Sequence, residues 1–253
     1  MSIKTAVLDG VYTIEIARPE KKNAITQEMY QAMADALIAA KADNAVRAVL
    51  LTGQPGIFTS GNDIEDFAGR PPTTGESSSF TFMKALMGCD KPVVAAVTGA
   101  AIGIGTTMLL HCDLVYAGDN AAFSLPFASL GLVPEASSSL LVPQMFGYHR
   151  AAEALLLGEP FMAEAALEVG LVNRVLPPTE ANAYAQSVAR KLVAKPSTSL
   201  IETKRLMKKG QQQAVLQHMQ EEGAVFARML REPAAREAFT AFMEKRKPDL
   251  SKF

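Results

Sequence analysis

The sequence predicts an α/β fold, and three observations carry that expectation. Short apolar runs at 46–51, 93–97, 114–116 and 171–176, most of them rich in β-branched residues, read as buried strands. Segments with helical spacing of apolar residues lie between them, the alternation that builds right-handed βαβ units. From Glu180 onward helical patterns dominate, broken near Pro196, Gly210, Pro233 and Pro248. A helical layer therefore follows the sheet.

Taken in order, Thr5 to Ile16 alternates unevenly around Asp9-Gly10, a tight-turn pair, and predicts an opening β-hairpin. A polar loop from Arg18 to Asn23 leads to Thr26, a side chain suited to capping a helix. In that helix Met33, Ala36, Leu37 and Ala40 share one face. The strand from Val46 to Leu51 ends at Thr52-Gly53, and Phe58 to Ile64 forms a turn with Gly61 inside it. Residues 69–79, GRPPTTGESSS, predict a mobile surface loop, and Phe80 to Gly88 a helix. The strand Val93 to Val97 runs into a turn punctuated by Gly99, Gly103 and Gly105, with a helix start at Thr106 to His111 and a strand from Leu114. Helices at Ala151–Leu157 and Ala163–Val169 and a strand at Leu171–Leu176 complete the core. Residues 1–190 read as the part that holds the site, and 191–253 as a helical capping or oligomerisation region of the same structural unit.

Composition narrows the partners. The 253 residues are 49% hydrophobic and 20% charged, with 25 Lys and Arg against 26 Asp and Glu. A formal charge of −1 gives no global basic field for nucleic acid. Cys89 and Cys112 cannot build a disulfide scaffold, which fits a reducing compartment. No apolar run approaches the roughly 18 residues of a membrane helix. The N-terminus has no signal-like composition, so a cytoplasmic location is expected. The closing Ser251-Lys252-Phe253 differs at its last residue from the peroxisomal Ser-Lys-Leu address, which leaves that compartment as the alternative.

Two features point to chemistry. A glycine-bearing turn that opens a helix leaves backbone N–H groups outside the helical ladder, suited to a negative oxygen. A dinucleotide fingerprint is the rival reading of Gly103-Ile104-Gly105, but Met108 stands where its third glycine is required. Close behind comes Glu135, the one acid between Asp119 and Glu153, in apolar surroundings. Glu135 is either a helix-entry acid facing the dipole or a proton-transfer group. His111, His149 and His218 have no metal-like spacing, and no metal or role is assigned to them. No Gly-x-Ser-x-Gly or P-loop signature is present.

With these turns in view, the chain resembles the crotonase (enoyl-CoA hydratase/isomerase) superfamily. The resemblance is carried by RPEKKNAI, VRAVLLTGQPGIFTSGNDI, KPVVAAVTGAAIGIGTTMLLHCDLVYAGDNAAF and AFMEKRKP, in that order. It implies a crotonase-like ββα spiral with a C-terminal helical trimerisation region, a homotrimer or a hexamer of two trimers, and an acyl-CoA thioester as substrate with no further cofactor. It also implies an oxyanion hole made by the backbone N–H groups of Asn62 and Ile104. Substrate and CoA contacts fall at Lys22, Ala24, Ser60, Gly61, Asp63, Ile64, Gly103 and Lys245. Phe82, Met83, Leu86, Phe127 and Leu132 are expected to line the acyl pocket, although the Met and Phe positions at 82–87 read more readily as general core. Lys245-Arg246-Lys247 reads either as a solvated helix end or as a contact to the polyanionic carrier.

The family's hydratases use two glutamates, and the corresponding positions here are Thr107 and Phe127. Hydration is therefore not expected. FTSGNDI and FSLPFASLGLVPE are similar to the peroxisomal-type Δ3,Δ2-enoyl-CoA isomerases, in which one glutamate, here Glu135, moves a proton from C2 to C4. The alternatives are another acyl-CoA reaction (thioester hydrolysis, C–C cleavage or decarboxylation) or a non-catalytic binding protein of the same family.

Overall fold

The computed structural model describes residues 2–69 and 77–253, so most of the 69–79 loop lies outside the described residues. The hairpin forms as expected: β1 (Ile3–Leu8) pairs antiparallel with β2 (Val11–Ile16). Asp9 and Gly10 both adopt positive φ, 51° and 77°, the primed turn that matches strand twist. Thr26 accepts a hydrogen bond from Met29 N and opens α1 (Gln27–Ala42). β3 (Ala48–Thr52), α2 (Ile64–Gly69), α3 (Ser78–Met87) and β4 (Val93–Val97) follow.

Beyond β4 the elements shorten. β5 (Ala100–Ile102), α4 (Ile104–Thr107), a 3-10 turn at Met108–His111, β6 (Leu114–Gly118) and β7 (Ala122–Ser124) occupy 25 residues, from 100 to 124. Next come α5 (Ser138–Phe146), α6 (Tyr148–Ala152) and a π-helical turn at Glu153–Leu157, where one regular helix was expected over 151–157. β8 (Phe161–Met162), α7 (Ala163–Glu168) and β9 (Arg174–Leu176) precede α8 (Pro178–Val193), α9 (Ser197–Lys209), α10 (Gln212–Met229) and α11 (Pro233–Met243). The breaks between these last helices fall at Pro196, Gly210 and Pro233, because proline cannot continue a helical ladder and glycine weakens it.

Two sheets result. The larger runs β1-β2-β3-β4-β6-β9, parallel from β2 onward, and the smaller runs β5-β7-β8. β3 and β4 are buried along their whole length, so they read as continuous apolar runs rather than alternating ones. One face of the large sheet packs on α8 through Val11, Leu50, Val94, Ala185 and Ala189. The other, through Ile14, Val49, Leu51, Ala95 and Val97, packs against α1 and α3.

α9 is tied to the core by charge. Lys204 Nζ lies 2.6 Å from Asp113 and donates to the Lys91 carbonyl at 2.7 Å, while Lys208 lies 3.4 Å from the same aspartate. Among the described residues no helix is long and apolar enough to cross a membrane.

Candidate active site

Isolated parallel bridges, Thr59 with Ala101 and Ile25 with Asn62, extend the smaller sheet toward the N-terminal loop. They bring the turn at 60–63 against the turn at 103–105. Two glycines make that approach feasible. A Cβ on Gly61 (φ +91°) would lie 2.8 Å from the Ile102 carbonyl oxygen, and one on Gly105 would lie 2.6 Å from the Thr59 side chain. A side chain at either position would push the turns apart.

The RPEKKNAI loop braces this junction. Asn23, fully buried with φ 55°, donates to the carbonyls of Ile16, Ile57 and Phe58 at 3.0–3.2 Å and accepts from Arg18 N at 2.7 Å. Arg18 pairs with the buried Asp63 at 2.6 Å. Burial alone would raise that carboxyl, but the Arg18 hydrogen bond and charge and the Asp66 amide outweigh it and hold it below the usual range. Asp63 is therefore committed to the scaffold through its side chain. Neither the Asn62 nor the Ile104 N–H meets an acceptor among the described residues, and Ile104 opens α4, outside its ladder.

A cavity of about 360 Å³ opens beside Ile104. Glu135 lines it together with Phe67, Phe80, Met83, Met219 and Phe226. Glu135 is half-buried as a residue, yet its Oε1 is fully shielded and has no hydrogen-bond partner among the described residues. Burial first, and the charge of Glu222 second, push its carboxyl up to about 8. An unpaired carboxyl in an apolar cavity at that value can both accept and return a proton near neutral pH.

The backbone after Glu135 is unusual. Ala136 and Ser137 are consecutive non-glycine residues at φ 60° and 61°. Each such residue costs on the order of 1–2 kcal/mol in isolation. The turn is held from outside: Glu222 accepts from Ser137 N (2.5 Å), Ser139 N (2.9 Å) and Ser139 Oγ (2.5 Å). Ser137 Oγ donates to the Val215 carbonyl at 2.6 Å, and His111 Nε2 lies 2.8 Å from the Ala136 carbonyl.

Several expectations need correction. Of the five predicted acyl-pocket residues, only Met83 lines the cavity. α3 turns Ser79, Phe80, Met83 and Lys84 toward it; at about 100° per residue Phe82 falls nearly opposite Phe80, and Phe82 and Leu86 pack in the core, the Phe82 ring 5.8 Å from that of Tyr30. Phe127 and Leu132 sit in the apolar cluster that includes Phe67 and Phe226, behind the lining. The carboxylate is also not solitary, since α10 brings Glu222 within electrostatic reach. Glu222, His111 and His218 carried no signal in the sequence, because the contacts that matter join segments far apart in the chain.

Of the expected CoA contacts, Lys22, Ala24, Ser60, Gly61, Asp63 and Ile64 gather around the braced junction, and Ser60 N donates to the Lys22 carbonyl at 3.1 Å. Gly103 precedes α4 with φ 56°. Lys245 stands exposed after α11 and is not among the cavity residues; its neighbour Arg246 is spent on Glu237 and Glu244. Exposed Lys84 is the one cation among the described cavity-lining residues. At the positions of the hydratase glutamates, Thr107 is fully buried with an unpartnered hydroxyl, and Phe127 is buried.

Residues 7–252 match the enoyl-CoA hydratase/isomerase family profile. The chain is 36% identical over 198 residues to a 4-chlorobenzoyl coenzyme A dehalogenase of Arthrobacter sp., covering 75% of this chain and 71% of that one. It is 39% identical over 176 residues to human enoyl-CoA delta isomerase 2, covering 67% of this chain and 44% of the longer human protein. Among solved structures, Pseudomonas aeruginosa OdaA superposes with a TM-score of 0.94 at 46% identity, covering 96% of this chain and 98% of that one.

Proposed function

Because the chain belongs to the enoyl-CoA hydratase/isomerase family of crotonase-type acyl-CoA enzymes, we propose that it moves the double bond of a 3-enoyl-CoA to the trans-2 position. Glu135 is the acid/base in this reading. Its ionised carboxylate takes a proton from C2, leaving a dienolate whose negative charge rests on the thioester oxygen. The N–H groups of Asn62 and Ile104 stabilise that oxygen, each worth about 2.7–4 kcal/mol of barrier. The protonated Glu135 then returns the proton to C4, and the double bond settles between C2 and C3. Atoms balance with no water consumed.

The observation that carries this reading is the unpartnered Glu135 Oε1 in the same cavity as Ile104. Hydration calls for a second carboxyl facing the substrate. Glu222 does not supply one, because both of its oxygens are occupied and it lies outside the lining. Apolar Phe67, Phe80, Met83 and Phe226 suit an aliphatic acyl chain, and Lys84 suits an anionic carrier at the mouth. Assembly as a homotrimer, or as two trimers, is part of the same proposal.

The test is Glu135→Gln with 3-hexenoyl-CoA. Isomerisation is expected to fall at least about 100-fold while CoA-thioester binding persists. Near-normal turnover by the variant would rule the reading out.

A further inference from the structure

Glu222 has no part in the proton transfer just described, yet three hydrogen bonds bind it to the segment that follows Glu135. We propose that Glu222 is the positioning residue for Glu135, clamping the left-handed Ala136–Ser137 turn so that the carboxyl stays in the cavity. The inference rests on the reading of Glu135 as the base.

The geometry argues for a clamp. Two successive residues with side chains do not hold positive φ unless the surroundings over-determine it. The N-cap of α5, Ser137, makes no capping bond with its own side chain. The amides of Ser137 and Ser139 at that helix start point instead to the carboxylate of a different helix, an anion where the α5 dipole favours one. On α10, Met219, Gln220 and Gly223 line the cavity while Glu222 grips the turn. One helix thus forms a wall of the site and fixes its base.

The trio Ser139, His218 and Glu222 is not a nucleophile triad. Ser139 Oγ donates to Glu222 at 2.5 Å and lies 2.8 Å from His218 Nε2, so its proton is given to the carboxylate and not the imidazole. Ser139 is also absent from the cavity lining.

Electrostatics adds a second consequence. The groups disposed around Glu135 are Tyr30 from α1, Lys84 from α3, His111 from the 3-10 turn, with Lys208 of α9 beyond it, and His218 and Glu222 from α10. Of these, Glu222 acts on the carboxyl, in the direction that keeps its proton on. Removing the charge of Glu222 should let Glu135 ionise at lower pH, an effect that a merely structural contact between α5 and α10 would not predict.

Glu222→Gln, Ala136→Gly and the double variant separate the two effects. Glycine at 136 tolerates the left-handed turn without a clamp. In E222Q, kcat with 3-hexenoyl-CoA, measured on the high-pH plateau where Glu135 is ionised in both proteins, is expected to fall about tenfold with KM changed less than about twofold. The Glu135 carboxyl, followed by infrared difference spectroscopy and assigned by its loss in Glu135→Gln, should titrate at lower pH. Adding A136G should restore part of kcat and leave that titration lowered.

Unchanged kcat, or an unmoved Glu135 titration, overturns the proposal. If E222Q does not fold, Ser139→Ala removes one donor to Glu222 and should lower kcat severalfold at constant KM; unchanged kcat there overturns it equally. The titration needs no turnover. A failure of the isomerase reading, seen as an active Glu135→Gln, is therefore distinguishable from a failure of the clamp.

Discussion

The Tyr30 hydroxyl donates to Asn62 Oδ1 at 2.5 Å, joining the first long helix to the turn that carries one proposed oxyanion donor. Tyr30 is buried, and desolvation first and the Glu135 charge second raise its phenol well above the ordinary value, so it stays a neutral donor. Tyr30→Phe keeps the packing against Phe82 and removes only this anchor. Turnover of 3-hexenoyl-CoA should drop about tenfold with folding retained, since a small misplacement of a catalytic donor is costly. Steady-state kinetics beside a thermal melt checks this.

The pH dependence of kcat/KM follows from the Glu135 carboxyl, raised to about 8. The base works deprotonated, so kcat/KM should climb with pH and level off above that value. Stability should run the opposite way. The folded state holds this proton to higher pH than the unfolded chain, whose carboxyl titrates near 4.5, so folding loses free energy between those values. Glu135→Gln should therefore flatten the decline in melting temperature between pH 5 and 8, by at most a few kcal/mol of stability.

Gly61→Ala should damage site and scaffold together. The added Cβ would meet the Ile102 carbonyl at 2.8 Å from a backbone at φ +91°. A loss of about 1–3 kcal/mol of stability is expected, with activity falling further than stability alone explains. Urea melts compared with kcat per folded molecule separate the two.

Gly223 lies on α10 among the cavity-lining residues, and a Cβ there would meet nothing within 4 Å beyond its chain neighbours and the backbone of its own helix. Gly223→Leu should fill part of the cavity while gaining up to about 1 kcal/mol of helix propensity. The ratio of kcat/KM for long against short 3-enoyl-CoA substrates should fall, with no loss of melting temperature.

The scaffold was largely legible because its signals are local. Asp9-Gly10 marks the hairpin, Thr26 the helix start, and the β-branched run Val93–Val97 a buried strand. The family resemblance implies more than one sheet, but the strands of the smaller one cannot be placed from local pattern, since β5, β7 and β8 are two or three residues long, below the length at which a period can be read. The helix start after Glu135 is one of two readings, and the extent of α5 is obscured by its serine-rich start and by Pro143 inside it.

At the site, Glu135 and the two turns could be picked out by residue type and resemblance. The rotation of α3 that selects Phe80 over Phe82 could not. Nor could Glu222, which lies 83 and 85 positions from the serines it binds. Pairing at such distances follows from packing, not from any local pattern.

The central claim, that one carboxylate carries a proton from C2 to C4, is tested most directly by a single turnover of 3-hexenoyl-CoA deuterated at C2, with the product read by mass spectrometry. Deuterium is expected at C4 of the 2-enoyl product, with no gain of water. A 3-hydroxyacyl product, or an isomerised product with no label at C4, would contradict it.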